Sequence, residues 1–310
     1  MRCRFCNSNH LQNLVDLGYA PPSNAYIELK DKNKPEIYFP LKVNICSECF
    51  LAQTEDFTKA EDLFTPNYAY FSSNSSTLLK HSKNYVNMIE DYLKLNEKSF
   101  VVEIASNDGY LLKNFVNKKI PCLGIEPAVE TALHAEKLNI TVEKKFFSYK
   151  NSKYIHKKYN KADLIIGNNV YAHVPDIKDF TKGLKNLLKD EGTITLEFPS
   201  LMNLIKYNQF DTIYHEHFSY LSLLSVKKIF NSVGLKIYNI QKIKTHGGSL
   251  RIFGCHEESE KVIDTSVEEI LSEEEIFGIN NLDIYKSFQD KVEKIKNQFL
   301  NFLLEAKKED

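Results

Sequence analysis

The stretch FVVEIASNDGYLLKNF, residues 100–115, decides the fold. Four apolar residues and one acid read as a buried strand, Ser-Asn-Asp-Gly supplies turn formers, and YLLKNF opens a helix. The same order returns downstream: CLGIE (122–126) reads as a strand before the helix AVETALHAEKL. DLIIG (163–167) is a strand before DIKDFTKGLKNLLKD, a helix ending near Gly192, and TITLEF (193–198) is a further strand. Upstream, STLLKHSKNYVNMIEDYL sets Leu78, Tyr85, Ile89 and Tyr92 at helical spacing. This alternation predicts an open parallel sheet with helices on both faces. SVKKIFNSVG then reads as a helix, and LKIYNIQKI (235–243) and SLRIFGC (249–255) as an antiparallel edge pair joined through Thr245-His246-Gly247-Gly248.

In such sheets ligands bind beyond the carboxyl ends of the strands. Glu103 closes one strand there, and Gly109 lets the backbone of the following turn approach a ligand. Neither G-x-G-x-x-G nor G-x-x-x-x-G-K-[ST] occurs in the turn, which disfavours a dinucleotide pyrophosphate or a nucleoside triphosphate. A phosphate-free nucleoside fits better. Glu126, followed by Pro127, stands where a carboxylate accepts hydrogen bonds from both ribose hydroxyls. The pair points to S-adenosylmethionine, with Asn107 and Asp108 in the same turn. For Glu103 alone, a solvated strand-end carboxylate is the plainer alternative. A mixed sheet edge is typical of class I methyltransferases, so the expected fold is an α/β, Rossmann-like domain of that class.

The densest polar cluster, Thr212-Ile-Tyr214-His215-Glu216-His217-Phe-Ser-Tyr220, follows the TITLEF strand, and Asn168-Asn169-Val-Tyr-Ala-His173-Val-Pro-Asp176 follows the strand before it. Both loops would overlook one pocket. A sulfonium methyl is already electrophilic, so the protein need only align a nucleophile and, for carbon or hydroxyl, remove its proton. His217 suits the base, Glu216 would orient it, and Tyr214 or Tyr70 would donate to a developing oxyanion. A rival reading makes His215 and His217 metal ligands, since alternate residues of an extended segment share a face. A blander one makes His173, His217 and His246 hydrogen-bonded packing residues.

Cys3-x2-Cys6 and Cys46-x2-Cys49, separated by 39 residues, present four thiolates suited to a closed tetrahedral Zn²⁺ site with a structural role. Four unrelated cysteines, a redox pair, or iron in the same cage are the alternatives. Between the pairs, LGYAPPSNAYI marks a turn and YFPLKVNIC a strand, giving a small metal-stapled domain.

The 310 residues suit about two domains, and 43% hydrophobic with 26% charged residues excludes a disordered chain. With 40 basic and 41 acidic side chains the formal net charge is -1, so no global field attracts nucleic acid or an anionic membrane. Arginine occurs only at positions 2, 4 and 251, which singles out Arg251 as a clamp for an anion. No apolar run approaches the roughly 20 residues of a membrane span, and MRCRFCNSNH lacks the apolar core of a signal peptide. A cytoplasmic protein is expected.

With these residues assembled, the chain resembles the sugar C-methyltransferase family, enzymes that methylate carbon 3 of nucleotide-linked 4-keto deoxysugars. The resemblance spans about residues 1–256. It rests on the cysteine pairs, Tyr68-Ala-Tyr70-Phe-Ser-Ser, Glu103 to Gly109, Ile-Glu126-Pro, Ala-His173-Val-Pro-Asp, Tyr214-His-Glu-His217-Phe-Ser-Tyr and His246-Gly-Gly-Ser-Leu-Arg251. It implies that His217 abstracts the proton beside the ketone with support from Tyr214 and Glu216, that Tyr70 and His173 line the substrate pocket, and that the enolate attacks the methyl group. His246 and Arg251 join Tyr70 and His173 as expected substrate contacts. Expected cofactor contacts are Glu103, Ala105, Asn107, Asp108, Gly109, Glu126, Pro127, Asn168 and Asn169. Ala105 departs from the resemblance, standing where the family usually has a glycine.

The expected organisation is a zinc-binding domain over 1–70, a methyltransferase domain over 71–256 and a helical tail over 257–310. Family members continue into a further α/β domain. In the tail, Tyr285, Phe288, Val292, Ile295, Phe299 and Phe302 form an apolar seam on one long helix that folds back, self-associates or meets a partner domain, fold-back being preferred. A sugar O-methyltransferase, or a zinc-stabilised binding remnant without turnover, are the alternative functions.

Overall fold

The computed structural model describes residues 1–57, 59, 63, 64 and 70–309. Tyr68 and Ala69 of the tyrosine motif lie outside the described residues. The central sheet has seven strands: β4 (Val101–Ile104), β5 (Cys122–Ile125), β6 (Thr141–Glu143), β7 (Ala162–Asn168), β8 (Leu188–Pro199), β10 (Leu235–Ile243) and β11 (Ser249–His256). Their spatial order is β10-β11-β8-β7-β4-β5-β6. β4 to β8 run parallel, whereas β11 lies antiparallel to both β8 and β10. The sheet is therefore a doubly wound parallel sheet with a mixed edge.

The parallel strands are apolar because both faces are covered. Val102, Ile104, Leu123 and Ile165 pack on one side with Phe180 and Leu184 of a helix, while Val101, Leu164 and Ile166 pack on the other with Tyr85, Ile89 and Phe115. Tyr85 and Ile89 come from α1 (Ser76–Leu93), whose amino end is capped by the Ser75 side chain and which ends at Lys94 in a left-handed conformation.

Two elements differ from the sequence reading. The helix expected to run to near Gly192 is α5, Ile177–Leu187, and Leu188–Gly192 already belong to β8. Leu188 pairs with Ala162 of β7, and that pairing overrides the helical propensity of KNLLKD. β6 and the helix α4 (Tyr149–Tyr159) are additional. Three residues are too few for β6 to show a period.

The cysteine domain forms a second sheet, β1 (Leu11–Ala20), β2 (Phe39–Cys46) and β3 (Ala52–Thr54), whose fourth strand is β9 (Ser219–Tyr220). That last strand follows the His217 segment directly. The thiolates Cys3, Cys6, Cys46 and Cys49 lie with all their sulfurs within 4.8 Å of one another. Cys3 Sγ is 3.4 Å from Cys49 Sγ and Cys6 Sγ 3.5 Å from Cys46 Sγ, too long for disulfides and close to the roughly 3.8 Å edge of a ZnS₄ tetrahedron. The donor set fits Zn²⁺.

At the carboxyl end of the chain, α8 (Thr265–Phe277), α9 (Asp283–Lys286) and α10 (Phe288–Glu309) follow the sheet. Glu274 accepts backbone hydrogen bonds from Leu223 (2.7 Å) and Leu224 (2.9 Å), tying α8 to the amino end of α7 (Leu223–Asn231). The apolar seam divides. Tyr285, Phe288 and Val292 are buried in one core with Leu14 and Val15 of β1 and Leu201 of α6 (Leu201–Lys206). Ile295, Phe299 and Phe302 are exposed. Tyr285 sits on α9, so the seam is not a single helix.

Candidate active site

A cavity of about 730 Å³ opens over the carboxyl ends of β4, β5, β7 and β8. Its size suits a small ligand and a cofactor fragment. Ile104, Ala105 and Asn107 come from the end of β4 and its turn, Glu126 and Pro127 from β5, and Asn168 and Asn169 from β7. Tyr70, His173, Tyr214, Glu216, His217 and His246 complete the reactive part of the wall.

The turn after β4 is held in a left-handed backbone at Ala105 (φ 55°) and Asn107 (φ 49°). Asparagine tolerates that region; alanine does so at a cost of about 1 kcal/mol relative to glycine. Glycine, which the resemblance leads one to expect at position 105, would adopt this backbone without that cost. Asn107 accepts from the Ser72 and Asp108 amides and donates to the Tyr70 carbonyl, while Asp108 accepts from the Ser73 amide. The segment carrying Tyr70 is thereby fastened across the turn.

Gly109 plays a different part from the one expected. It adopts φ 79°, and a Cβ there would lie 2.5 Å from Ile140 and 3.1 Å from Ala135. Helix packing, not ligand approach, excludes a side chain, and Gly109 does not line the cavity.

Glu103 and Asp108 lie beneath the wall. Burial, followed by the charges of Glu126 and Asp108, pushes the Glu103 carboxyl well above its ordinary range. Glu126 is pushed up to about 7 by burial, countered by the amides of Ala128 and Asn107, each 2.9 Å from one of its oxygens. Each of those oxygens keeps a lone pair for a further donor. Glu103 Oε2, Asp108 Oδ1, Asn168 Oδ1 and Asn169 Oδ1 are buried acceptors without a partner among the described residues. A ligand rich in donors, such as a nucleoside bearing an ammonium and ribose hydroxyls, fits this set.

On the opposite wall, His217 Nδ1 contacts the Thr212 carbonyl (3.2 Å) and Nε2 the Tyr214 hydroxyl (2.9 Å). A carbonyl only accepts, so Nδ1 carries the proton and Nε2 presents its lone pair. Burial, then the neighbouring His173, holds the imidazole well below its ordinary pKa, which keeps it neutral. Burial likewise lowers His173, opposed by the charge of Glu216; its Nδ1 contacts the Glu216 carbonyl at 2.9 Å, and its ring stands 4.7 Å from that of His217. Tyr214 is pushed above its ordinary value by burial.

His215 does not share a face with His217. Tyr214–His217 is a turn closed by the His217 amide on the Tyr214 carbonyl, and His215 Nε2 donates to the Pro40 carbonyl at 3.1 Å. Among the described residues the four cysteines are the cluster able to hold a metal. Arg251, expected at the substrate, is instead paired through Nε and Nη2 with Glu197, donates to Gln241 at 2.8 Å and lies over the Tyr85 ring. It faces Glu197 across the β11–β8 ladder, away from the cavity wall. His246 is exposed at the rim, in the β10–β11 turn.

The wall also contains residues that the sequence reading left out: Ser23 and Asn24 from the cysteine domain, and Lys145, Phe146 and Phe147 after β6. Among the described residues of the wall Lys145 alone carries a fixed positive charge.

The sheet order, with Glu126 after β5 facing the cavity, is the architecture of the class I S-adenosylmethionine-dependent methyltransferases. Family models agree: a zinc binding domain matches residues 3–64, a methyltransferase domain 82–240 and a C-methyltransferase C-terminal domain 244–310. The resemblance thus continues beyond residue 256. The C-methyltransferase NovU of Streptomyces niveus is 31% identical over 296 residues, covering 96% of this chain and 70% of that protein. The chain belongs to the sugar C-methyltransferase family, and it is an S-adenosylmethionine-dependent C-methyltransferase with a zinc-binding domain. Among solved structures, a methyltransferase from Anabaena variabilis matches with a TM-score of 0.49 at 14% identity, covering 65% of this chain and 96% of that one. Magnesium protoporphyrin IX methyltransferase from Synechocystis, with bound SAH, matches with 0.45 at 12%, covering 59% and 88%. No helix among the described residues is long and apolar enough to cross a membrane.

Proposed function

We propose that the chain methylates carbon 3 of a nucleotide-linked 4-keto deoxysugar. The observation that carries this reading is the His217 tautomer: a buried, neutral imidazole whose Nδ1 donates to the Thr212 carbonyl and whose Nε2 accepts from the Tyr214 hydroxyl at the cavity wall, a bond that the hydroxyl exchanges for the ketone oxygen when the substrate enters. Such a nitrogen takes a proton from the carbon next to a ketone. Tyr214 and Tyr70 donate to the ketone oxygen as charge gathers there. His173 and His246 bound the sugar's side of the cavity, and Glu216 fixes His173 through its own backbone carbonyl.

S-adenosylmethionine, when bound, supplies the electrophilic methyl group. Glu126 would accept from the ribose hydroxyls, and Asn168 and Asn169 on the same wall would supply acceptors to its remaining donors, with Glu103 and Asp108 beneath that wall. Removal of that proton by His217 leaves a carbon nucleophile to face the methyl group.

The test is a reaction with S-adenosylmethionine carrying a ¹³C-methyl label and a thymidine-diphosphate-linked 4-keto-6-deoxyhexose. We expect a product heavier by one methyl with the label bonded to carbon 3. A methyl found on oxygen would replace this reading with the O-methyltransferase one, and unlabelled sugar would favour the inactive remnant.

A further inference from the structure

Ser23 and Asn24 belong to the cysteine domain, yet they reach the reactive wall. Pro21 and Pro22 restrict the backbone leading to them, and Asn24 takes a left-handed conformation (φ 57°) that asparagine tolerates. Ser23 Oγ donates to Glu216 Oε1 at 2.9 Å, and Asn24 Nδ2 donates to the same oxygen at 2.8 Å. Glu216 is buried, its carbonyl accepts from His173, and its charge acts on the His173 ring. Two donors from one loop therefore set the direction of a carboxylate that lies one residue from His217.

We infer that Ser23 and Asn24 are positioning residues of the methyl-transfer site, acting through Glu216, so that the metal-stapled domain is a working part of the active site. The inference rests on the reading of Glu216 and His217 given above. Hydrogen bonds to an ionised acceptor are short and directional, and two of them converging on one oxygen leave the side chain a single orientation. The adjoining contacts work in the same sense: Thr54 holds the His217 carbonyl at 3.0 Å, and the Pro40 carbonyl holds His215.

The experiment is a double-mutant cycle on the full chain, assayed by methyl transfer to the same thymidine-diphosphate-linked keto sugar. The pair Ser23→Ala with Asn24→Ala is compared in the wild-type and Glu216→Ala backgrounds, and melting curves establish that each variant is folded. Displacing a catalytic group by about an ångström costs up to ~100-fold, so kcat should fall about 10- to 100-fold in the wild-type background with KM for S-adenosylmethionine unchanged. In the Glu216→Ala background the same pair should change kcat less than about twofold, and Ser23→Thr with Asn24 intact should keep near wild-type turnover. An equal loss in both backgrounds, or no loss in either, would overturn the inference. Turnover abolished by His217→Asn together with indifference to the loop pair would reject this inference alone. Turnover retained in His217→Asn would reject the underlying reading of the site.

Discussion

Replacing His217 by asparagine should remove at least ~100-fold of turnover while leaving affinity for S-adenosylhomocysteine near wild type. Asparagine keeps a polar side chain of similar reach beside the Thr212 carbonyl and the Tyr214 hydroxyl, yet offers no basic nitrogen. The cofactor contacts assigned above come from β4, β5 and β7, on the opposite wall, so binding measured by calorimetry should not report the change. The same histidine fixes the shape of the pH profile. Its pKa is depressed by burial and by His173, so the neutral, proton-accepting form persists to a pH well below 6.5. The acid limb of kcat should therefore fall below the ordinary histidine range. A limb at or above 6.5, or unchanged turnover in His217→Asn, would remove His217 from the role of base.

Cys46→Ser is the second large effect, and it should act at a distance. Cys46 ends β2, which pairs with β3, and β3 pairs with β9, directly after His217. The Thr54 amide donates to the Phe218 carbonyl at 3.2 Å and its hydroxyl to the His217 carbonyl at 3.0 Å. Arg4, between Cys3 and Cys6, donates to the Pro175 carbonyl and lies over the Phe218 ring. A structural zinc site contributes on the order of 10 kcal/mol of folding free energy, so losing about a third of it should lower the melting temperature by roughly 5–10 °C. Metal analysis should show zinc content well below one per chain, and turnover should fall with it. A variant that retains full metal, stability and turnover would contradict both the site and its coupling to the His217 turn.

Much of the α/β core was legible because its strands are short apolar runs alternating with stretches of helical spacing, a pattern that local sequence carries by itself. Glu126, Asn168 and Asn169 could be placed on one cavity for the same reason: in a parallel sheet, strand ends share an edge. Tyr214 and His217 were legible as a dense polar cluster beyond such an end. What escaped needed pairing information. Arg251 meets Glu197 only through the register of β11 on β8, and Leu188–Gly192 became strand through pairing with β7. His215 and His217 diverge because their segment is a turn, which residue spacing in an assumed extended chain does not reveal. Ser23 and Asn24 look like an ordinary proline-marked loop, and nothing nearby in sequence names Glu216, almost two hundred residues on, as their acceptor.

The position of the domain boundary has a related lesson. β9 joins the cysteine sheet from within the methyltransferase region, and Tyr285, Phe288 and Val292 enter the same core as β1. The N-terminal sheet, the His217 turn and the first C-terminal helices are packed as one body around the wall of the cavity. Holding a base and its hydrogen-bonding partners within a fraction of an ångström requires such support.

Proton exchange tests the central claim most directly. The wild-type chain is incubated in D₂O with the thymidine-diphosphate-linked keto sugar and S-adenosylhomocysteine, without a methyl donor, and carbon 3 is followed by NMR. Deuterium should enter at carbon 3 faster than in buffer, and no such acceleration should occur with His217→Asn. Exchange no faster than in buffer with the wild-type chain, or equally fast with the variant, would contradict proton removal by His217.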